Sequence, residues 1–164
     1  CKTCEVACKQ ENRTPEGVRL IHVSEDGPKL VEGELQFVFR VNTCRHCDDP
    51  DCVGVCPEGA VRKRGDGIVV LDEQKCTGCG LCIDECPHDA ISFDDDRGVA
   101  RKCNLCYHRV DYGLLPACAD NVCLAHCIYF GDPDEIREEI KAKRTSYVGH
   151  RKVGPHNRSI ALKE

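Results

Sequence analysis

A single stretch, residues 76–87, constrains this chain more than any other. Its spacing is C-x2-C-x2-C-x3-C-P, formed by Cys76, Cys79, Cys82, Cys86 and Pro87. In such a run three closely spaced thiolates wrap one iron–sulfur cube, and the fourth cysteine ligates the other cluster of a pair. Gly78 and Gly80 relax the backbone so that the loop can close around the cube. We therefore predict a [4Fe-4S] loop here, around which the rest of the chain is organised.

Two other uses of this pattern are a structural zinc site and disulfide pairing. Zinc usually takes two C-x2-C pairs separated by a long loop. Three thiols at two-residue intervals exceed what one tetrahedral zinc needs from one loop. The chain holds 16 cysteines among 164 residues, in four dense groups rather than spread as loop staples. That grouping favours metal binding over a disulfide scaffold.

The composition indicates a fold that depends on inorganic cofactors. Aromatic residues make up 5% of the chain and Trp is absent, so a hydrophobic core of ordinary size is not expected. Bound clusters would replace part of that core, and the metal-free chain should be poorly folded. The net charge of -5 comes from interspersed acidic and basic residues, with no basic stripe or aromatic platform for nucleic acid. No apolar run approaches the roughly 18 residues of a membrane helix.

The first cysteine group reads C-x2-C-x3-C, through Cys1, Cys4 and Cys8. This is the last part of the pattern at residues 76–86, so it predicts a further cysteine three residues before residue 1. The sequence contains no Met, and we expect it to lack its natural start. A lone C-x2-C pair is the alternative interpretation of this group.

The second cysteine group is closed by Pro57 and reads C-x2-C-x4-C-x3-C, through Cys44, Cys47, Cys52 and Cys56. A hairpin is predicted after it, with Asp66-Gly67 as turn chemistry. The segment Pro57-x-x-Ala60 recurs thirty residues on as Pro87-x-x-Ala90, and a second hairpin is predicted to follow. This internal repeat is the mark of a two-cluster ferredoxin module with pseudo-twofold symmetry.

The fourth group begins like another cluster loop and continues at longer intervals, through Cys103, Cys106, Cys118, Cys123 and Cys127. Residues 107–115 predict a short helix or insertion that carries the third ligand to a distance. Asp132 as N-cap, Pro133 at the first helical position and Glu135 in a capping box predict a helix that runs to about Arg144.

A segment without cysteines, residues 13–42, predicts a β excursion between the first and second groups. We expect a strand at 18–23 and a turn at 25–28. A second, half-buried strand is predicted from the alternating apolar residues Leu35, Phe37, Phe39 and Val41.

Two polar features beside the cysteine groups are expected to face water. His46 lies between two cysteines, and we expect its side chain to point to solvent rather than to tune a cluster. The acidic run at 94–96 is most simply a solvated turn, with a docking role as the alternative.

Taken together, these motifs resemble the four-cluster iron–sulfur electron-transfer subunit of the dimethyl sulfoxide reductase family of molybdopterin enzymes. The resemblance rests on the cysteine groups at 1–8, 44–57, 76–87 and 103–118 and on Phe130-Gly131-Asp132. It implies an α+β fold of tandem bacterial-ferredoxin-like folds, with two two-cluster lobes, a β-hairpin insertion and a C-terminal helix.

The resemblance also implies a division of the chain. Residues 1–43 with 102–144 would form an outer lobe that carries the β insertion and two clusters. Residues 44–101 would form a central module with the other two clusters, and residues 145–164 a C-terminal tail.

Carried over to this sequence, the family pattern implies four [4Fe-4S] clusters with crossed ligation. One cluster would be held by Cys44, Cys47, Cys52 and Cys86. The next would be held by Cys56, Cys76, Cys79 and Cys82. A third would be held by Cys8, Cys103, Cys106 and Cys118. The fourth would be held by the absent upstream cysteine and by Cys1, Cys4 and one late cysteine.

The late ligand of the fourth cluster is either Cys123 or Cys127. Each cubane takes four cysteines, and one ligand is missing at the start, so the 16 cysteines leave one surplus at the end. Spacing to Phe130-Gly131-Asp132 matches the family best if Cys123 is the ligand and Cys127 is spare. The departure from the family is Leu124, which stands where proline is usual.

The implied function is electron relay through four clusters to or from a molybdopterin catalytic subunit, with no substrate turnover by this chain alone. No Ser-His-Asp set, Walker loop or dinucleotide fingerprint is present. The alternative is an electron-transfer subunit of a hydrogenase or carbon-monoxide-linked complex. A membrane anchor or another redox subunit is a further candidate partner. We expect a cytoplasmic location, because dense thiols suit a reducing compartment; the periplasmic face of the membrane is the alternative.

Overall fold

The computed structural model describes residues 1–119, 122–124, 127–145, 147–148 and 151–152. The helices are α1 Thr3–Asn12, α2 Asp51–Gly54, α3 Leu81–Asp84, α4 Tyr107–Val110 and α5 Pro133–Thr145. The strands are β1 Ile21–Val31, β2 Glu34–Thr43, β3 Val61–Lys63, β4 Val69–Leu71, β5 Ile91–Asp94, β6 Val99–Lys102, β7 Tyr147–Val148 and β8 Arg151–Lys152. Within the described residues the strands pair in sequence order into four two-stranded antiparallel sheets.

The C-terminal helix forms where the sequence predicts it. The Oδ1 atom of Asp132 accepts hydrogen bonds from the backbone N–H groups of Asp134 at 2.9 Å and Glu135 at 3.4 Å, so Asp132 caps α5. Most of the predicted tail at 145–164 lies outside the described residues. None of the described helices has the length and apolar character needed to cross a bilayer.

The two halves of the predicted internal repeat adopt the same local structure. In each half a four-residue helix, α2 or α3, is followed by a hairpin, β3–β4 or β5–β6. The chain leaves both helices by the same turn, in which the N–H of Gly59 donates to the Cys56 carbonyl at 3.2 Å and that of Asp89 donates to the Cys86 carbonyl at 3.1 Å. The two helices pack against each other, and β4 packs against β6.

Two clusters of buried side chains take the place of one large core, and cysteines belong to both. The first lies in the central repeat and contains Val61, Val69, Cys82, Ile91 and Ala100. The second joins α1 to the start of β1 and contains Cys4, Cys8, Val18, Leu20, Ile21 and Val23. Partly buried cysteines pack against each cluster. The division into two lobes at the predicted boundaries stays a prediction.

The β excursion is a long hairpin whose turn lies later than predicted. Strand β1 continues through residues 25–28, and the register shifts between Asp26 and Lys29 rather than turning there. The chain reverses at Glu32 and Gly33, whose φ angles are 52° and 82°. Positive φ at both central residues is the geometry of a two-residue hairpin turn of type I′. The predicted turn at 25–28 is therefore wrong, since this segment forms an irregularity within the ladder.

The prediction that β2 is half-buried is wrong for most of the strand. Leu35, Phe37 and Phe39 are 62%, 54% and 54% exposed. Only the base of the hairpin packs on a buried cluster, where Val41 contacts it. A two-stranded ribbon has no second layer of its own, so alternation of apolar residues along it does not ensure that they are buried.

The acidic run at 94–96 is not uniformly solvated. Asp95 and Asp96 are exposed, as expected, but Asp94 has no exposed surface. Its carboxylate lies 3.4 Å from the Arg101 guanidinium and accepts the backbone N–H of Arg97 at 3.2 Å. The prediction is therefore wrong for Asp94, because a buried cation and the turn backbone hold its carboxylate inside.

The two glycines of the 76–87 stretch provide a matched test of backbone packing. Both have positive φ, 72° at Gly78 and 81° at Gly80. A Cβ at Gly78 would collide with the carbonyl oxygen of Gly98, whereas nothing lies within 4 Å of a Cβ at Gly80. We expect Gly80→Ala to cost about 1–2 kcal/mol for the left-handed backbone alone. Gly78→Ala should cost clearly more.

The measurement is thermal unfolding of the iron-loaded protein, followed by loss of its visible absorbance. Gly78→Ala should lower the midpoint further than Gly80→Ala. Equal midpoints in the two variants would contradict the close approach of the loop to Gly98.

Candidate metal centres

Cavity A brings together cysteines from two motifs, namely Cys44, Cys47, Cys52 and Cys86. Its remaining lining includes Val69, Ile91 and Lys102. Burial raises the pKa of the Cys52 thiol to about 11, Lys102 acts to lower this pKa, and the neighbouring thiols of the cavity raise it further. The closing cysteine of the later motif thus lies with the first three cysteines of the earlier motif.

Cavity B has the reciprocal composition and is lined by Cys56, Cys76, Cys79 and Cys82. Burial raises the pKa of Cys82 to about 11, and the Cys76 thiol is the next largest cause. The backbone N–H of Ala100, in β6, donates to the Cys76 sulfur at 3.4 Å. Cys79 is exposed, so this cavity reaches the surface.

Cavity C joins the first cysteine group to the fourth and is lined by Cys8, Cys44, Cys103, Cys106 and Cys118. Burial raises the pKa of the Cys8 thiol, and the thiols of the fourth group raise it further. Burial also raises the pKa of Cys118, to about 12. The side-chain amide of Asn12 donates to the Cys8 sulfur at 3.5 Å. Cys44 is shared between the linings of cavities A and C.

The remaining cysteines lie near the start of α1 and in the fourth group. Burial raises the pKa of the Cys4 thiol, and the Cys123 thiol is the next cause. The Cys123 sulfur lies 3.4 Å from that of Cys127. Cys1 is exposed, and its sulfur accepts a hydrogen bond from Thr3 Oγ1 at 3.2 Å. The Cys123 thiol is therefore a neighbour of the Cys4 thiol.

The donor sets of the three cavities fit an iron–sulfur cube. Four soft thiolates in a largely apolar pocket are the ligand type of a [4Fe-4S] cluster. Cys86 lies in cavity A and Cys56 in cavity B, which is the grouping that crossed ligation requires. The described cysteines that line cavities A, B and C form no disulfide. Among the described residues, no three His, Cys, Asp or Glu side chains converge closely enough to hold a single metal ion.

Three of the C-x2-C loops share a backbone feature that the sequence reveals only once. The residue before the second cysteine has positive φ in each loop, 72° at Gly78, 49° at His46 and 55° at Leu105. The N–H groups of His46 and Leu105 donate to the sulfurs of Cys44 and Cys103, both at 3.4 Å. Glycine signals such a turn, but histidine and leucine rarely adopt it. Hydrogen bonds to ligand sulfurs are among the factors that set cluster potentials.

The prediction of a solvent-facing His46 is wrong, because the residue is only 4% exposed. Its Nδ1 accepts a hydrogen bond from the backbone N–H of Val69 at 3.0 Å, which draws the ring against β4. Burial, and then the positive charge of Lys102, lowers the pKa of His46 to about 3, so the imidazole is neutral. Its Nε2 has no hydrogen-bond partner within the part of the chain that the structure describes.

Comparison with known proteins places these cavities in a family. A family model described as a 4Fe-4S dicluster domain matches residues 35–133. Over 147 residues the sequence is 39% identical to the B component of the anaerobic dimethyl sulfoxide reductase of Escherichia coli K12, covering 85% of this chain and 71% of that protein. The chain belongs to the 4Fe-4S dicluster family. Its branch is that of the iron–sulfur B subunits of dimethyl sulfoxide reductase-type enzymes, as predicted.

Other relatives of the dicluster chain are named as subunits of sulfur-compound reductases. It is 40% identical over 137 residues to the B component of the tetrathionate reductase of Salmonella typhimurium LT2, covering 80% of this chain and 53% of that protein. It is 39% identical over 137 residues to a thiosulfate reductase electron transfer subunit of Salmonella typhi, covering 82% of this chain and 71% of that protein. The chain thus spans about half the length of the tetrathionate reductase relative. These names favour the reductase prediction over the hydrogenase alternative.

The predicted α+β fold is confirmed as a ferredoxin-like dicluster domain with small antiparallel sheets and few helices. The assignment of individual cysteines as ligands stays a prediction. Reciprocal substitutions of the two closing cysteines provide its test.

We expect Cys86→Ser to remove or convert the cluster bound in cavity A and to spare the cluster bound in cavity B. Cys56→Ser should do the opposite, because each serine removes one ligand from the other motif's cluster. The measurement is low-temperature EPR of the reduced protein, with iron content determined on the same samples. If each serine instead affected the cluster of its own motif, the crossed assignment would be wrong.

Proposed function

We propose that this dicluster chain relays electrons through four [4Fe-4S] clusters to or from a molybdopterin catalytic subunit of a reductase complex. The observation that carries the proposal is the grouping of cysteines from different motifs, four in each of cavities A and B and five in cavity C, which shares Cys44 with cavity A. The names of the relatives support it, since they are B subunits of reductases and one is an electron transfer subunit. The chain alone would turn over no substrate.

The residues that would hold three of the clusters are the cysteines of cavities A, B and C, and Cys1, Cys4 and Cys123 would serve the fourth. When bound, each cluster would supply one-electron transfer. The chain would ligate the iron, exclude water from the cavities and set the surrounding charge and hydrogen bonds, which tune the potential.

A shared lining residue and the electrostatic influence of one cysteine set on another support a linear order of sites. Besides burial, the Cys52 thiol of cavity A raises the pKa of Cys82 in cavity B, so these two sets are neighbours. Cys44 lines both A and C. The Cys4 thiol of the fourth set is among the causes that raise the pKa of Cys118 in cavity C. The proposed order is therefore B, A, C and the fourth set, with exposed cysteines, Cys79 and Cys1, at the two ends.

The proposal extends to the lobes and to the surroundings of the chain. Residues 44–101 would form the lobe with sites A and B, and residues 1–43 with 102–144 the lobe with site C and the fourth site. The two separate groups of buried apolar side chains, one in each of these parts of the chain, support that division. We place the chain in the cytoplasm, where a reducing environment protects thiols before metal binding. A membrane anchor or second redox subunit is a further proposed partner.

The test is anaerobic purification of the full chain with its catalytic partner, followed by iron and acid-labile sulfide analysis. We expect about sixteen iron atoms per full-length chain, as four cubanes require, together with EPR signals that appear on reduction. A colourless protein containing stoichiometric zinc would overturn the proposal.

The fourth site can be tested separately with two serine substitutions. We expect Cys123→Ser to lose one EPR signal. The Cys123 thiol raises the pKa of the buried Cys4 thiol, so the two cysteines are neighbours and would serve the same cluster. Cys127→Ser, its matched control 3.4 Å away, should keep all signals. Loss of a signal in Cys127→Ser alone would reverse the assignment.

A further inference from the structure

Lys102 is a buried cation held by peptide oxygens. Its residue surface is 5% exposed. The Nζ atom donates to the backbone carbonyls of Val69 and Cys103, the latter at 2.7 Å. Within the described residues, no Asp or Glu forms an ion pair with it. A buried ammonium is strongly unfavourable unless an opposite charge offsets it, so this one requires a counter-charge beyond the two carbonyls.

The preceding residue shows the opposite arrangement. Arg101 is also buried, at 9% exposed. Its guanidinium lies 3.0 Å from the carboxylate of Glu73 and 3.4 Å from that of Asp94. The charge of Arg101 is therefore offset by carboxylates, and that of Lys102 is not.

The position of Lys102 relates it to two of the three cavities. Its side chain lines cavity A, with Cys44 and Cys52. Its ammonium donates to the carbonyl of Cys103, whose side chain lines cavity C. The same ammonium opposes the effect of burial on the thiols of Cys52 and Cys103. Lys102 itself is in the lining of cavity A and not of cavities B and C, and its link to cavity C is the hydrogen bond to the Cys103 carbonyl.

A single residue, Val69, fixes the ammonium in this position. The Val69 carbonyl accepts from Lys102 Nζ, and the Val69 N–H donates to the buried His46 ring. Val69 and His46 are both buried, so the ammonium of Lys102 is held between cavity A and Cys103 and does not reach the surface.

We propose that the Lys102 ammonium is the buried counter-charge shared by the sites in cavities A and C and raises their reduction potentials relative to the site in cavity B. This inference rests on the proposed function. One-electron reduction of a cluster by the redox partner would add one negative charge at its site and break no bond. A fixed positive charge in a low-dielectric interior stabilises the more negative, reduced form.

The experiment compares Lys102→Gln with the unsubstituted chain, both purified anaerobically with the catalytic partner. Potentials are read by redox titration with low-temperature EPR, and signals are assigned to sites with the cysteine variants above. In Lys102→Gln we expect the oxidised-to-reduced ratio at sites A and C to rise at least tenfold at a fixed solution potential. A tenfold rise corresponds to a fall of about 59 mV in a one-electron reduction potential. Site B should shift less.

Two control variants separate charge from packing. Lys102→Arg keeps the charge and should restore potentials at sites A and C close to those of the unsubstituted chain. Arg101→Gln removes a neighbouring buried charge that carboxylates already offset, so it should shift sites A and C less than Lys102→Gln does. Iron content is determined for every variant.

Each outcome decides the proposal. Unchanged potentials in iron-loaded Lys102→Gln would overturn the role of Lys102 and leave the proposed function intact, whereas absence of cluster signals from the unsubstituted complex would overturn the function itself. If Lys102→Gln does not load iron, Lys102→Met is used, because it retains the aliphatic stem. If neither neutral variant binds iron while Lys102→Arg does, the counter-charge role of Lys102 is supported. Failure of all three would overturn it, since charge alone would then not suffice.

Discussion

Burial of the cysteine thiols conflicts with the charge that they must carry to bind metal. Burial raises the pKa of Cys52, Cys82 and Cys118, and crowding by other sulfurs raises it further. A bound iron–sulfur cluster would resolve this conflict, because its positive iron would offset several thiolates at once. Cysteines also belong to both clusters of buried apolar side chains. Packing and cofactor binding therefore depend on each other, as in other proteins whose folding is coupled to metal.

The backbone of the cysteine loops makes the same turn with different residues. The same left-handed turn is made by Gly78 in one loop and by His46 and Leu105 in two others. The cysteine spacing predicted the repeat, and the family resemblance implied the crossed grouping in which Cys86 joins cavity A and Cys56 joins cavity B. Neither could predict the conformation of His46, whose burial depends on a hydrogen bond to the distant Val69.

The errors of prediction elsewhere have the same origin. The burial of Asp94 depends on Arg101, and the position of the hairpin turn depends on which of two turn-like segments completes the ladder. Glu32 and Gly33 form the turn, although Gly27-Pro28 carries the stronger local signal. Local patterns thus predicted the elements and the candidate ligands. Burial and charge pairing required knowledge of residues that are distant in sequence.

The β1–β2 hairpin has a consequence for the solubility of this chain. Leu30, Leu35, Phe37 and Phe39 are all more than half exposed on a ribbon of two strands. Exposed apolar strands with open edges are sites of self-association. Self-association of the purified chain is therefore expected to begin at this hairpin.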